Sequence, residues 1–371
     1  MNLESEKIKI IFAGRYNSSE ILSGPEKVAK RIFSNLYDKT DSVFIEYFFE
    51  GSKYSIWQKL FGRERVIDNH NNQIFRLGIF PILILTIKFK PKIVHILSFE
   101  RFAIMFFLLK FILRFKVSYT INGIVAYENS IFREKISASL KIKDKIAECC
   151  IIKFSNRLFF LSEQSISIAR KYYNVVNEKI ILTTNGIDEI FNRVFIARKY
   201  EEKTKLNVML VADSTRVEKG LDFFLKAIQP IQNYFTFNVI GDILIANGQI
   251  NFYPKMPTDN FAEFLLNQDI LISTSFFDTF PISALEAMAA GVIPILTKET
   301  GVSRFIINGE NGYVYSYGDD EALRKYLLEL NNDSRLRYKL SQNAATIFNK
   351  FRWEEISKRY LEKFYEMTRA E

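Results

Sequence analysis

The sequence predicts an α/β protein made of two doubly wound, Rossmann-like domains facing a central cleft. Three observations carry that expectation. Short β-branched or aromatic runs alternate with longer helical stretches, which is the rhythm of βαβ units around a parallel sheet. The alternation breaks once, at the charged stretch TNGIDEIFNRVFIARKYEEKTK (184–205), and then resumes. At 371 residues, 48% of them apolar, the chain has more apolar material than one ordinary core accommodates.

Taken in order, KIKIIFAG (7–14) reads as a strand, PEKVAKRIFSNLY (25–37) as a helix and SVFIEYFF (42–49) as a second strand. KIVHIL (92–97), an apolar helix over 102–115 and KVSYTING (116–123) extend the first sheet. The second series is LNVMLVA, GLDFFLKAIQPI, TFNVIG, DNFAEFLLNQ, DILIST, ISALEAMAAG and VIPILT, all between residues 206 and 297. The final stretch, FRWEEISKRYLEKFYEMTRAE, is an amphipathic helix whose Trp353, Tyr360 and Phe364 suit packing back onto the first domain. The expected domains are therefore 1–190 with 350–371, and 191–349.

The balance of 51 Lys+Arg against 42 Asp+Glu leaves a net charge of +9, which suits anionic partners such as nucleotide diphosphates or phospholipid headgroups. Nucleic acid is not expected, because no basic-aromatic recognition motif accompanies the charge. Cys149 and Cys150 are adjacent, so they provide neither a disulfide framework nor a CxxC metal motif. The two histidines, His70 in the polar loop DNHNNQ and His95 at a strand end, leave no metal site in view, and no cofactor is expected. The first residues, MNLESEKIKIIFAG, lack the order of a signal peptide, so a cytoplasmic location is expected. The apolar tract 102–115 is interrupted by Lys110 and Arg114 and is shorter than the ~20 residues that span a bilayer.

Ligands of open parallel sheets bind beyond the carboxyl ends of strands, on the strand-to-helix loops. The loop SFFDTF leads from the strand DILIST into a helix, with Pro281 suited to its first turn and Gly291 to the residue just past its end. Asp278 then sits on the loop and Glu286 in the second helical turn, flanking a helix N-terminus. Backbone N–H groups of Phe280, Ile282 and Ser283 make that terminus an anion site. A phosphate between two carboxylates that accept hydroxyl hydrogen bonds is the arrangement a sugar nucleotide requires. Taken singly, Asp278 would be a loop cap and Glu286 a solvated helix residue; their pairing on one turn favours function.

Upstream, Lys219-Gly220 precedes a helix after the strand LNVMLVA. A lysine there neutralises a departing diphosphate, and glycine permits close backbone approach. Ser23-Gly24-Pro25-Glu26 opens the first helix of the chain, with neither GxGxxG nor P-loop spacing.

TNGID, VEKG, the stretch from Asp278 through Glu286 into LEAMAAGVIPI, and INGENGYVY occur in an order that resembles the group 1 glycosyltransferases, retaining enzymes of the GT-B fold (family 4-like). SGPEKVA resembles their GGxE loop, KIVHILS their D-I-V-H strand end, and FRWEEISKRY their closing helix. The resemblance covers nearly the whole chain and implies transfer of a sugar from a UDP- or GDP-linked donor to a glycan or lipid-linked acceptor, without a metal. It implies that Glu286 binds ribose hydroxyls, Asp278 sugar hydroxyls and Lys219 the diphosphate, with the backbone of Phe280, Pro281, Ile282 and Ser283 and the glycines Gly24 and Gly220 approaching the donor. His95 and Asn122 are implied as acceptor or sugar contacts. The family explains retention by front-face attack in which the leaving phosphate takes the acceptor proton. This sequence departs from the family in having Asp278 for Glu, Ser214 for an Arg that Arg216 replaces from nearby, and Asn122-Gly123 for His-Gly.

The alternatives are a GT-B nucleotide-sugar epimerase and a non-enzymatic or degenerate nucleotide-sugar-binding subunit. A further expectation concerns residues 80–115, basic and rich in aromatics, which suit peripheral contact with an anionic inner membrane face carrying a lipid-linked acceptor. The competing and favoured reading assigns those apolar residues to the core.

Overall fold

The computed structural model describes residues 7–16, 20–48, 54–68, 72–133, 136–200, 203–243 and 248–369. The chain forms two compact units, one of Met1–Thr184 with Trp353–Glu371 and one of Asn185–Arg352. The first crossing comes before residue 190 because the second unit already captures the chain at Asn185. The amide of Asn185 donates to the Phe280 carbonyl (3.4 Å), and Ile187 N–H donates to Phe351 O (2.7 Å). The second crossing falls at 352/353 rather than 349/350, since Ile187 also bridges to Arg352.

The first unit holds strands β1 (Lys9–Ala13), β2 (Asp41–Tyr47), β3 (Arg63–Ile67), β4 (Gln73–Leu77), β5 (Ile93–Ile96), β6 (Lys116–Ile121), β7 (Arg157–Phe160) and β8 (Ile180–Leu182). They form one sheet in the order β3-β4-β2-β1-β5-β6-β7-β8, parallel except for the β3–β4 pair. The strand order reverses direction between β1 and β5. Both of those strands are apolar along nearly their whole length and buried on both faces, as a doubly covered parallel sheet requires.

Among the described residues, these strands are connected by helices α1 (Gly24–Tyr37), α2 (Ile56–Phe61), α3 (Ile79–Phe89), α4 (Ile104–Leu113), α5 (Val125–Ile131), α6 (Ala138–Phe154) and α7 (Glu163–Tyr173). The core under α3, α4 and α6 combines Ile82, Phe106, Phe107 and Ile151 with the β-strand residues Val94, Val117 and Leu158. The opposite face of the sheet, lined by Phe12, His95 and Phe159, is filled from the far end of the sequence. There Tyr360 stacks on Phe159 (4.5 Å between ring centres, 6° between planes), and Phe364 meets Phe12 and His95 edge-on.

The second unit begins with α8 (Glu189–Ala197) and alternates β9 (Leu206–Val211), α9 (Leu221–Ile228), β10 (Phe235–Ile240), β11 (Ile250–Tyr253), α10 (Thr258–Leu265), β12 (Ile270–Ser273), α11 (Ile282–Ala289), β13 (Ile293–Thr297) and β14 (Tyr313–Tyr315). Helices α12 (Asp320–Asn332) and α13 (Ser334–Ala345) follow, and α14 (Trp353–Arg369) belongs to the first unit. The sheet is all parallel in the order β11-β10-β9-β12-β13-β14. That order turns back between β9 and β12, so the loops leaving these two strands lie side by side, at the place where such sheets bind ligands.

Candidate active site

The two loops at the β9/β12 turning point are tied together through the backbone carbonyls of the first. Thr274 Oγ1 donates to the Lys219 carbonyl (2.9 Å), and Phe276 N–H donates to the Glu218 carbonyl (3.0 Å). This approach requires glycine at position 220. Its φ of 66° lies in the left-handed region, and a Cβ there would collide with the carbonyl oxygen of Thr274. Gly220 therefore serves loop-to-loop packing.

The tie brings Lys219 Nζ onto Asp278 Oδ2 as a mostly buried ion pair, the two side chains 16% and 13% exposed. The other carboxylate oxygen of Asp278 accepts from the N–H of Phe280 (3.2 Å), so Asp278 braces its own loop as well. The backbone of the same residue pairs with the loop after β13: Asp278 N–H donates to Glu299 O and Gly301 N–H to Asp278 O. Of the three N–H groups expected to form an anion site, that of Phe280 is engaged by Asp278. Pro281 is the residue that caps α11 rather than its first helical residue, because its ψ of 110° is extended. The helix then opens at Ile282 and Ser283, whose N–H groups have no acceptor within α11 itself.

Glu286 is only 4% exposed, on the buried side of α11. A solvated helix face is thus the wrong description of it. Arg216, on the loop after β9, donates from Nε to the buried Glu218 (2.7 Å), while Ser214 N–H donates to the Asp242 carbonyl. The sequence reasoning missed a neighbouring cluster in which Lys255, after β11, reaches Asp213 (3.2 Å) and Asp242 (2.7 Å). All three follow strand ends, and that shared position was the available signal. Part of the short connection between Asp242 and β11 lies outside the described residues.

In the first unit Gly24 is exposed at the start of α1, next to a capping box in which Glu26 accepts from Ser23 N–H (2.7 Å). Asn122 follows β6 and donates to the Leu97 carbonyl (2.7 Å). His95 does not fit the expected role of a sugar or acceptor contact. It has no exposed surface, Nδ1 lies 2.8 Å from Ser118 Oγ, and Nε2 lies 3.1 Å from Thr120 Oγ1, which also reaches Tyr360. Burial pushes its pKa down to about 3, so the ring is neutral and anchors α14. His70 lies outside the described residues.

At the β1/β5 turning point Arg15 pairs with the buried Glu100, and Arg15 N–H donates to Ser98 Oγ (3.0 Å). Further along, Glu148 of α6 accepts from the N–H groups of Val125 (2.8 Å) and Ala126 (2.9 Å) and from the Tyr173 hydroxyl (2.6 Å), so it holds the first turn of α5 just after Asn122-Gly123. Burial pushes its carboxyl up to about 7, against the opposing pull of those donors. The folded chain thus holds this proton more tightly than the unfolded chain does. The resulting stabilisation is complete below about pH 4.5 and is lost as pH rises through about 7. Glu148→Gln is expected to remove about 3 kcal/mol of the decline in unfolding free energy across that window. Urea titrations of both proteins at several pH values measure it.

Two doubly wound units of this topology have the architecture of the GT-B fold of glycosyltransferases. Over 97% of this chain and 100% of that chain, the fold matches Alr3699/HepE of Anabaena in complex with UDP-glucose, with a TM-score of 0.73 and 14% identity. Residues 192–346, within the second unit, match the family model of glycosyl transferases group 1. The chain is similar to N-acetyl-alpha-D-glucosaminyl L-malate synthase of Bacillus anthracis (24% identical, 58% of this chain and 63% of the relative). It is also similar to N,N'-diacetylbacillosaminyl-diphospho-undecaprenol alpha-1,3-N-acetylgalactosaminyltransferase of Campylobacter jejuni (22% identical, 57% and 61%). The aligned stretches span less than two thirds of either relative.

Proposed function

We propose that the protein is a retaining, metal-independent glycosyltransferase that moves a sugar from a UDP- or GDP-linked donor to a glycan or lipid-linked glycan acceptor in cell-surface polysaccharide or glycoconjugate synthesis. It works in the cytoplasm at the inner face of the membrane. One observation carries this reading: Lys219 and Asp278 are paired beside the open N-terminus of α11, and the same helix carries the buried Glu286.

Each group has a task matched to its chemistry. The N–H groups of Ile282 and Ser283 receive phosphate oxygens, as helix N-termini do. Lys219 leaves Asp278 for the diphosphate and neutralises the charge that grows on it as the glycosidic bond breaks. Asp278, released from the lysine, accepts hydrogen bonds from sugar hydroxyls, and Glu286 accepts them from the ribose. Arg216 adds a second cation on the same loop. The leaving phosphate takes the proton of the acceptor hydroxyl on the face it departs from, so no protein base is needed. Front-face attack of this kind retains the anomeric configuration. The lipid-linked acceptor is supported by the undecaprenol-linked substrate in the name of the Campylobacter relative.

Incubation with UDP- and GDP-sugars in the absence of acceptor tests the reading. Slow release of nucleoside diphosphate and free sugar is expected, together with a rise in unfolding temperature on adding the cognate nucleotide. Epimerised nucleotide sugar would overturn it in favour of an epimerase; binding without release under any acceptor would leave a non-enzymatic subunit.

A further inference from the structure

Helices α2, α3, α4 and α6 are neighbours in succession, and their outer sides are apolar where solvated helices carry polar residues. Exposed Phe80, Ile84 and Ile87 recur along α3 at helical spacing, and Ile142 and Ile146 do so along α6. On α4 the inward residues Phe106 and Phe107 build the core, yet Leu108, Phe111 and Ile112 on the other side are 70%, 72% and 75% exposed. The core reading of residues 80–115 therefore accounts for only one side of each helix.

Helix α2 extends the surface. None of its residues is buried, but Trp57 stacks on Phe61 (5.5 Å) and Phe61 on Phe80 (4.8 Å, 7° between planes), an aromatic ladder with Trp57 70% exposed at its end. Such an area on a single chain marks an interaction site.

The charges among these apolar residues have one sign. Between residues 69 and 127 the only acid is Glu100, which is buried and paired with Arg15. Exposed Lys88 ends α3, Arg114 follows α4, and Lys143, Lys145 and Lys153 lie along α6. The two acids of α6 are withdrawn: Glu148 is buried, and Asp144 pairs with Arg101 (3.5 Å). A second copy of the chain on this face would oppose lysines to lysines, which is unfavourable. An anionic lipid surface is complementary to both the apolar stripes and the cations. No helix among the described residues is long and apolar enough to cross a membrane, so the contact is one of lying on the surface.

We propose that the outer face of α2, α3, α4 and α6 docks on an anionic bilayer, with Trp57, Leu108, Phe111 and Ile112 entering the headgroup region. This names the surface behind the membrane location proposed above and rests on that reading only for its purpose, the delivery of a lipid-linked acceptor.

The protein carries its own reporter. Of its two tryptophans, Trp353 is buried and Trp57 exposed, so emission changes on vesicle addition come from Trp57. With full-length protein and phosphatidylcholine vesicles containing phosphatidylglycerol, a blue shift, quenching by brominated acyl chains and co-sedimentation that weakens with salt are expected. Pure phosphatidylcholine should bind less. Leu108→Glu with Phe111→Glu should weaken sedimentation at least about tenfold while leaving the unfolding temperature, and its rise with nucleotide, unchanged. Trp57→Phe should lose the spectral shift. No shift at low salt would overturn the proposal, as would a solution dimer that the paired glutamates dissociate. Vesicle binding by a protein that shows no nucleotide response would keep the docking face and remove the glycosyltransferase reading instead.

Discussion

Replacing Glu286 with alanine is expected to reduce kcat/KM for sugar transfer by about 10²–10³-fold with little change in fold. The carboxylate is buried on α11, the helix whose N-terminus is assigned to the phosphates. Its geometry relative to those N–H groups is therefore fixed by a rigid element. Binding energy from the ribose, remote from the reacting bond, positions the anomeric carbon, so the loss should reach kcat as well as KM. Glu286→Gln, which keeps shape and one acceptor oxygen, should fall between the wild type and the alanine variant. Steady-state kinetics beside circular dichroism and thermal unfolding separate a site effect from a folding defect. Unchanged turnover in the alanine variant would remove Glu286 from the site.

Lys219→Met is expected to cost about 10²–10³-fold in kcat, because the cation is assigned to charge that develops only as the diphosphate departs. This substitution also leaves Asp278, mostly buried, without its ion-pair partner. Pairing it with Asp278→Asn distinguishes the two effects. Measured against Asp278→Asn alone, which carries the loss of the sugar contact, the Lys219→Met change costs little further kcat if its loss arises from the orphaned carboxylate, and costs the same as in the wild type if it arises from the missing cation. Asp278→Glu should retain the pair with Lys219, since the added methylene lengthens the reach toward the same loop. Comparison of kcat with nucleotide affinity for the three variants is the measurement, and an unaltered kcat for Lys219→Met would exclude the leaving-group role.

Much of the candidate site was legible because its parts are local in sequence. The strand, the loop and the helix bounded by Pro281 and Gly291 follow from periodicity and the positional preferences of proline and glycine, which place Asp278 and Glu286 on one strand-to-helix unit. What lay beyond reach depends on long-range contacts. The spacing of KIVHIL marks His95 as a strand residue but leaves open which face is covered, and by what. The covering residues, Tyr360 and Phe364, are more than 260 positions away. Glu148 looks like one acid among lysines on a helix, and only the fold brings it to the N–H groups of Val125 and Ala126. The lysines and apolar residues of 80–115 were visible as composition. The sequence assigned them to core or surface as a block, whereas the fold divides each helix lengthwise between the two.

The return of α14 to the first unit has a consequence for synthesis. When residue 184 leaves the ribosome, all eight strands of the first sheet exist, but the helix that stacks on Phe159 and seals His95 does not. The unit of Asn185–Arg352 is contiguous and can mature as soon as it emerges. The part translated first is thus the last to be finished, and during translation it presents an unsealed aromatic face to the chaperones of the cell.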